Sequence, residues 1–230
     1  MKQRISSRSK LTAMAVGVLL LVAAMPAAAA TEPLDTGWRL RFYIAAVDME
    51  HSSDQLGSTG DFAGDTGGGV GLNAEYRFSR RLGIDVGLFS GGSVDIGVHN
   101  FHPGDTGWVT HDTLTFTPLT LGLDIHLTPD ERVDFYACPL VAWTHYGRLS
   151  SYSGSRGVES EIDFSEDLSF GLRLGLGVPF GQNRWSFQVN ATYLDSGLEG
   201  RGANGVRIDG GYDSTIFGVG VGYRFGSRAR

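Results

Sequence analysis

The sequence predicts an all-β fold: an eight-stranded antiparallel up-and-down transmembrane β-barrel, preceded by a cleavable signal peptide. Three observations support this prediction. Apolar and polar residues alternate in eight segments of the chain. Short and long connections between these segments also alternate, and aromatic residues collect at one end of the segments. Strict alternation indicates β-strands, because successive side chains of a strand point to opposite faces.

The N-terminus has the pattern of a signal peptide. A basic start is followed by an apolar run over residues 11–24 and by small residues at 25–30. This run is too short for a comfortable membrane-spanning helix. We therefore assign residues 1–30 to the signal peptide and residues 31–230 to one barrel domain.

The composition of the 230-residue chain excludes several classes of protein. The formal net charge is −6, and no acidic residue precedes Glu32, so removal of the basic leader makes the protein more acidic still. This charge argues against nucleic-acid binding. Cys138 is the single cysteine, which rules out an internal disulfide bond. The spacing of histidine, cysteine and acidic residues predicts no metal site, and no cofactor motif is evident.

Eight segments show the alternation, and each predicts one strand. The clearest one places Leu172, Leu174 and Leu176 on one face, opposite Arg173. The fifth segment is apolar on both faces, which leaves its orientation open, and Pro139 inside it predicts a bulge or a local bend. The predicted strands are residues 38–49, 68–78, 82–90, 113–127, 133–146, 168–178, 185–193 and 217–225.

The connections between the predicted strands are short and long in turn. Short connections and long connections therefore lie at opposite rims, which together with an even strand count is typical of an outer-membrane barrel. The short turns are residues 79–81, 128–132 and 180–184, and the long polar loops are residues 50–66, 91–112, 147–167 and 195–213.

Aromatic residues decide which face of the strands is outside. A lipocalin-like barrel also alternates, but its apolar face points inward. Here the aromatic residues fall at the strand ends beside the short turns and the chain termini, where a membrane interface selects them. We therefore predict a barrel in the outer membrane of a Gram-negative cell, with a periplasmic aromatic girdle formed by Trp38, Tyr76, Phe78, Phe135, Phe180, Trp185, Tyr223 and Phe225.

Two stretches resemble a known family. The stretch FTPLTLGLDIHLTPDERVDFYACPLVAW, residues 116–143, is similar to the central part of the OmpW family of eight-stranded outer-membrane proteins, as is the ending GVGVGYRF, residues 218–225. The resemblance spans residues 37–225 and implies a narrow barrel that passes small apolar molecules. It also implies contact with outer-membrane lipid, lipopolysaccharide and the barrel assembly machinery.

Charged residues on the inward face concentrate near the short turns. Buried charges must be paired, so these residues predict a salt-bridge plug of the lumen, and an ion-selective constriction is the alternative. An eight-stranded barrel has an interior just wide enough for side chains to fill. The predicted plug residues are Arg39, Arg41, Glu75, Arg77, Asp85, Asp124, His126 and Arg224.

The other half of the lumen receives small or apolar residues. This predicts a pocket that opens to the outside of the cell and closes toward the periplasm. Its wall contains Tyr43, Val47, Phe89 and Thr120. The alternative is a lumen that is loosely packed or covered by loops.

Three classes of function remain open. The first is a narrow channel or pocket for small apolar molecules with little ion conductance. The second is a structural or surface-interaction barrel, adhesin-like, that acts through its long loops. The third is a lipid A-modifying enzyme, for which Asp124 and His126 share a face; they lie far from the outer leaflet, so we expect no enzyme.

Overall fold

The computed structural model describes residues 37–51, 61–64, 66–99, 108–129, 133–153, 158–180, 184–202 and 207–225. The predicted signal peptide, residues 1–30, lies outside this part of the chain, as do sections of the predicted loops. None of the described residues belongs to a helix of the length and apolarity that crossing a membrane requires.

The described residues form twelve strands. Their bounds are β1 Gly37–His51, β2 Asp61–Gly64, β3 Gly67–Arg77, β4 Leu82–Ser90, β5 Gly92–His99, β6 Trp108–His126, β7 Asp134–Tyr146, β8 Leu149–Ser153, β9 Val158–Phe164, β10 Asp167–Phe180, β11 Trp185–Gly202 and β12 Arg207–Arg224. Eight of them pair in the cyclic order β1, β3, β4, β6, β7, β10, β11, β12, and β12 returns to β1. Every pair is antiparallel, so the predicted eight-stranded barrel is confirmed.

The register of β1 shows how alternation separates the two faces. Phe42 pairs with Leu72 of β3 and with Val221 of β12. Phe42 is 51% exposed on the outer surface, whereas its neighbour Arg41 is 2% exposed in the lumen. The outer surface is therefore apolar and the lumen partly charged, which is the distribution that a bilayer requires.

Two rims close the barrel, and they differ in their connections. The chain ends meet at one rim, where the amide of Phe225 donates a hydrogen bond to the carbonyl of Trp38 over 2.8 Å. We call this the short-turn rim and the opposite one the long-loop rim. Seven of the eight predicted girdle residues are exposed at the short-turn rim. Tyr223 is half-buried because Trp185 and Phe225 pack edge-on against its ring, with centroids 4.7 and 4.9 Å away.

The prediction of long polar loops was wrong over much of their length. Strands β2, β5, β8 and β9 lie within them, and β11 and β12 stay paired as far as Arg201 and Arg207. Hairpins can extend beyond the membrane because ladder hydrogen bonds are made by the backbone, whatever the polarity of the side chains.

Strand β7 resolves the orientation that the sequence leaves open. Phe135 and Trp143 are exposed on the outside, whereas Tyr136 and Cys138 are buried in the lumen. Of the bulge or local bend predicted at Pro139, the bulge is wrong, since the register toward β6 is the same on both sides of it, and the local bend stays a prediction. The ladder to β6 is instead interrupted there, as expected for a residue that has no amide hydrogen.

Candidate functional site

An arginine on β1 lies at the centre of the charged half of the lumen. Arg41 donates to Asp85 Oδ2 over 3.1 Å and to Asp124 Oδ2 over 2.8 Å, and it also binds Glu75. The three carboxylates come from β3, β4 and β6. The guanidinium also lies 4.6 Å from the ring centroid of Tyr136 on β7. One cation therefore connects five strands of the barrel.

A second group of charges lies closer to the short-turn rim. Asp134 Oδ2 accepts hydrogen bonds from Arg39 over 3.2 Å and from Arg77 over 2.9 Å. The ring of His126 lies between two carboxylates, with Nδ1 2.9 Å from Asp134 Oδ1 and Nε2 2.7 Å from Glu75 Oε1. Both ring nitrogens are thus engaged within the protein.

An arginine on β10 reaches one of these carboxylates, Asp85, from the other side of the lumen. Arg173 Nη1 donates to Asp85 Oδ1 over 2.6 Å. The same guanidinium lies 3.2 Å from Thr120 Oγ1 and 3.2 Å from Thr192 Oγ1. Asn73 donates to Asp85 Oδ1 over 2.6 Å as well. These bonds span the lumen, so they occupy its cross-section as well as its wall.

We call these ten side chains the lower network: Arg39, Arg41, Asn73, Glu75, Arg77, Asp85, Asp124, His126, Asp134 and Arg173. It contains four guanidinium groups and four carboxylates, whose charges balance. Removing charged groups from water is costly unless opposite charges and hydrogen bonds replace the water. The mutual pairing explains how the fold tolerates so many charges in its interior.

The structure brings seven of the eight predicted plug residues into this network. The eighth, Arg224, is half-buried and lies opposite Arg39 in the register of β1 and β12. Three members were missed: Asn73, Asp134 and Arg173. The alternation along each strand could have identified them, because each lies between outward apolar neighbours and must therefore point into the lumen.

Large apolar side chains fill the lumen on the side of the long-loop rim. They pack into one cluster, in which the ring of Phe116 lies 6.4 Å from that of Phe89 and 5.9 Å from that of Tyr146. Thr120 was predicted to belong here but contacts Arg173 instead. We call the following residues the upper cluster: Tyr43, Val47, Met49, Phe89, Leu114, Phe116, Cys138, Leu140, Ala142, Tyr146, Leu194 and Ile216. Cys138, which pairs with Arg173, lies at the boundary with the lower network.

Glycines on the lumen face make room for two tyrosine rings. A Cβ atom at Gly71 would collide with the ring of Tyr43, and one at Gly175 would collide with the ring of Tyr136. A Cβ atom at Gly218 would likewise lie only 2.7 Å from Cδ2 of Tyr43, which is too close for an ordinary contact. The bare inner face of β12 therefore accommodates side chains that reach across from other strands.

Among the residues that the structure describes, two groups of side chains have the donor types for a metal ion. They are Glu75 with Asp124 and His126, and Asp85 with Asp124 and Cys138, with ligand atoms within 4.8 Å of one another. Arg41 already binds the three carboxylates in these groups. Its charge opposes a cation at this place, so we assign no metal, and the absence of a metal stays a prediction.

The closed barrel, its exposed apolar surface and its charged lumen define a transmembrane β-barrel protein. The profile of the outer membrane protein beta-barrel domain family matches residues 15–225. The chain belongs to this family, which places it in the outer membrane. A search of curated protein sequences finds no significant match.

Solved structures confirm the resemblance at the level of the fold. OprG from Pseudomonas aeruginosa is similar with a TM-score of 0.64 at 17% identity, covering 84% of this chain and 98% of OprG. The structure of AlkL in lipid bilayers is similar with a TM-score of 0.58 at 19% sequence identity, covering 88% of this chain and 96% of AlkL. OmpW from E. coli is similar with a TM-score of 0.50 at 17% sequence identity, covering 83% of this chain and 98% of OmpW.

Proposed function

We propose that this barrel admits small apolar molecules from outside the cell into the upper cluster and is nearly closed to ions by the lower network. The observation that carries the proposal is the layering of the lumen, with apolar side chains on one side of Arg173 and paired charges on the other. Apolar surface favours an apolar solute. Paired charges that span the lumen leave little room for a hydrated ion.

The OmpW resemblance supports the same proposal, since it implies a barrel that passes small apolar molecules. Lipid and lipopolysaccharide contact the outer surface in this proposal, and the barrel assembly machinery inserts the exported chain. We also propose that the protein is not an enzyme. His126, the candidate base, has both ring nitrogens engaged by carboxylates of the lower network.

One observation favours a second function. Val47, Leu114 and Phe116 are fully buried because the upper cluster packs on itself. A lumen filled in this way suits a structural or surface-interaction barrel, in which the connections at the long-loop rim bind a partner and no solute is admitted.

Uptake of a small apolar dye by proteoliposomes separates the two functions. Leu194→Ala removes a large side chain from the upper cluster and should increase the uptake by making room. The matched control is Leu174→Ala, which changes an outward position on the neighbouring strand and should leave the uptake unchanged. Equal and negligible uptake by wild type and Leu194→Ala, with both barrels folded, would favour the structural function.

A further inference from the structure

Two histidines and an aspartate occupy neighbouring positions in the sheet at the long-loop rim. Strand β5 pairs with β2 on one side and with β6 on the other. Asp61 of β2 pairs with His99 of β5. Gly97, two residues before His99, pairs with His111 of β6. Strand pairing therefore brings together three metal-binding residue types that are far apart along the sequence.

The three residues lie on one face of this sheet. Residues that pair directly share a face, and so do residues two apart on one strand. The register shifts between Val98 and His99. The extra residue is Val109 on β6, so the alternation along β5 continues through His99. Asp61 is therefore the direct neighbour of His99, and His111 is its diagonal neighbour.

This face continues the outer surface of the barrel. Along β6, Leu114 and Phe116 are buried in the lumen, whereas Thr115 between them is exposed on the outside. Pairing with β5 is regular from Phe116 to Thr110, so His111 lies on the same face as Thr115. The group thus belongs to the outer face of the sheet and is separate from the lumen.

The spacing and the residue types suit a transition-metal ion. Directly opposed residues have Cβ atoms about 4.5–5.5 Å apart, and diagonal neighbours are about 7–8 Å apart. Imidazole nitrogens bind Zn²⁺ at about 2.0–2.1 Å and carboxylate oxygens at about 2.0–2.2 Å, so residues at these separations can share one ion. No lysine or arginine occurs in β2, β5 or β6. This distinguishes the group from the lower network, where Arg41 opposes a cation.

We propose that Asp61, His99 and His111 together bind one divalent transition-metal ion at the long-loop rim. Two imidazoles and a carboxylate suit zinc or copper, and the ion would tie β2 to β5 and β6. The inference goes beyond the proposed function, because the ion is held outside the lumen. It also departs from the prediction that the chain holds no metal, which rested on the spacing along the sequence.

Calorimetric titration of the folded barrel in detergent with Zn²⁺ tests the site, on protein purified without a histidine tag. Removing a hydrogen-bond partner of a metal ligand already costs about 10–100-fold in affinity. His99→Ala and His111→Ala should each cost at least as much, because they remove a ligand. The matched control is His145→Ala on β7, a histidine with 71% of its side chain exposed, which should bind Zn²⁺ like the wild type.

A second measurement locates the ion. Trp108 pairs with His99, and it is the one tryptophan in β2, β5 or β6. Bound Cu²⁺ quenches tryptophan fluorescence at short range, so Trp108→Phe should remove most of the quenching by Cu²⁺ and leave the affinity for Zn²⁺ unchanged.

Three results would overturn the inference: no binding of Zn²⁺ by the wild type, equal binding by His99→Ala, or quenching that persists in Trp108→Phe. The shift in gel mobility on heating shows whether each variant is folded. Uptake of the apolar dye should be the same in all of these variants, so a failure of the proposed function is detected separately.

Discussion

Glu75 is the residue on which the lower network most depends. It is fully buried and binds Arg41, while its Oε1 lies 3.3 Å from Arg77 Nε and 2.7 Å from His126 Nε2. Arg39 is a further neighbour, 3.7 Å away. The carboxylate therefore balances several buried cations at once, so its removal would leave charge that water cannot reach.

Glu75→Ala should lower the free energy of unfolding by about 3–5 kcal/mol, the usual cost of breaking a buried ion pair. Urea unfolding in lipid vesicles measures this loss. Asp163→Ala is the matched control, because its ion pair with Arg148 is exposed, with 66% and 72% of the two side chains accessible. Exposed pairs contribute less than about 1 kcal/mol. Similar losses in the two variants would contradict the role given to the network.

The close fit between Gly175 and Tyr136 gives a second prediction. Gly175→Ala should destabilise the barrel by about 1–3 kcal/mol, as overpacking does, because the new methyl group meets the tyrosine ring. Tyr136→Leu should restore part of the loss in the double variant. At Gly68 a Cβ atom would meet only the carbonyl of Ala45, at 3.7 Å. Gly68→Ala should therefore have a smaller effect, and an equal effect would refute the explanation.

The alternation of inward and outward residues along the strands predicted most of the inward residues but not the partners that they contact. Arg41, Glu75 and Asp124 follow from alternation, and so does the expectation that they pair. The reach of Arg173 to Asp85 could not be predicted, because it depends on the shear of the closed barrel and on long side-chain rotamers.

The strands themselves were largely predictable within the membrane. Alternation set the bounds of β4 at Leu82–Ser90, as observed, and those of β3 to within one residue. Beyond the membrane the lipid no longer selects an apolar face, so alternation weakens. The extension of β11 and β12 toward the long-loop rim was missed for this reason.

An outward residue at mid-strand tests the assignment of faces. Leu174 lies near the middle of β10 and is 53% exposed. Leu174→Arg should cost about 2–4 kcal/mol, because it places a cation at the bilayer midplane. Leu174→Phe keeps the position apolar and serves as the control. The folding yield in lipid vesicles is measured for both variants. Equal yields would show that this face does not contact lipid.

At the scale of the whole molecule, barrel closure creates the layered lumen. Pairing of β12 with β1 brings Gly218, Gly220 and Gly222 opposite residues of the N-terminal strand, and pairing of β10 with β11 completes the wall. Charges from distant parts of the sequence, such as Asp85 and Arg173, meet only because the sheet closes. The position of the lower network beneath the upper cluster is thus a product of topology.

The most direct test of this layering records ion conductance and apolar-dye uptake on the same preparation of wild-type protein in lipid. The lower network should hold the conductance near the background of protein-free membranes, while the upper cluster allows measurable uptake of the dye. A large, steady conductance like that of a water-filled pore would contradict the account, because paired charges could not then be closing the lumen.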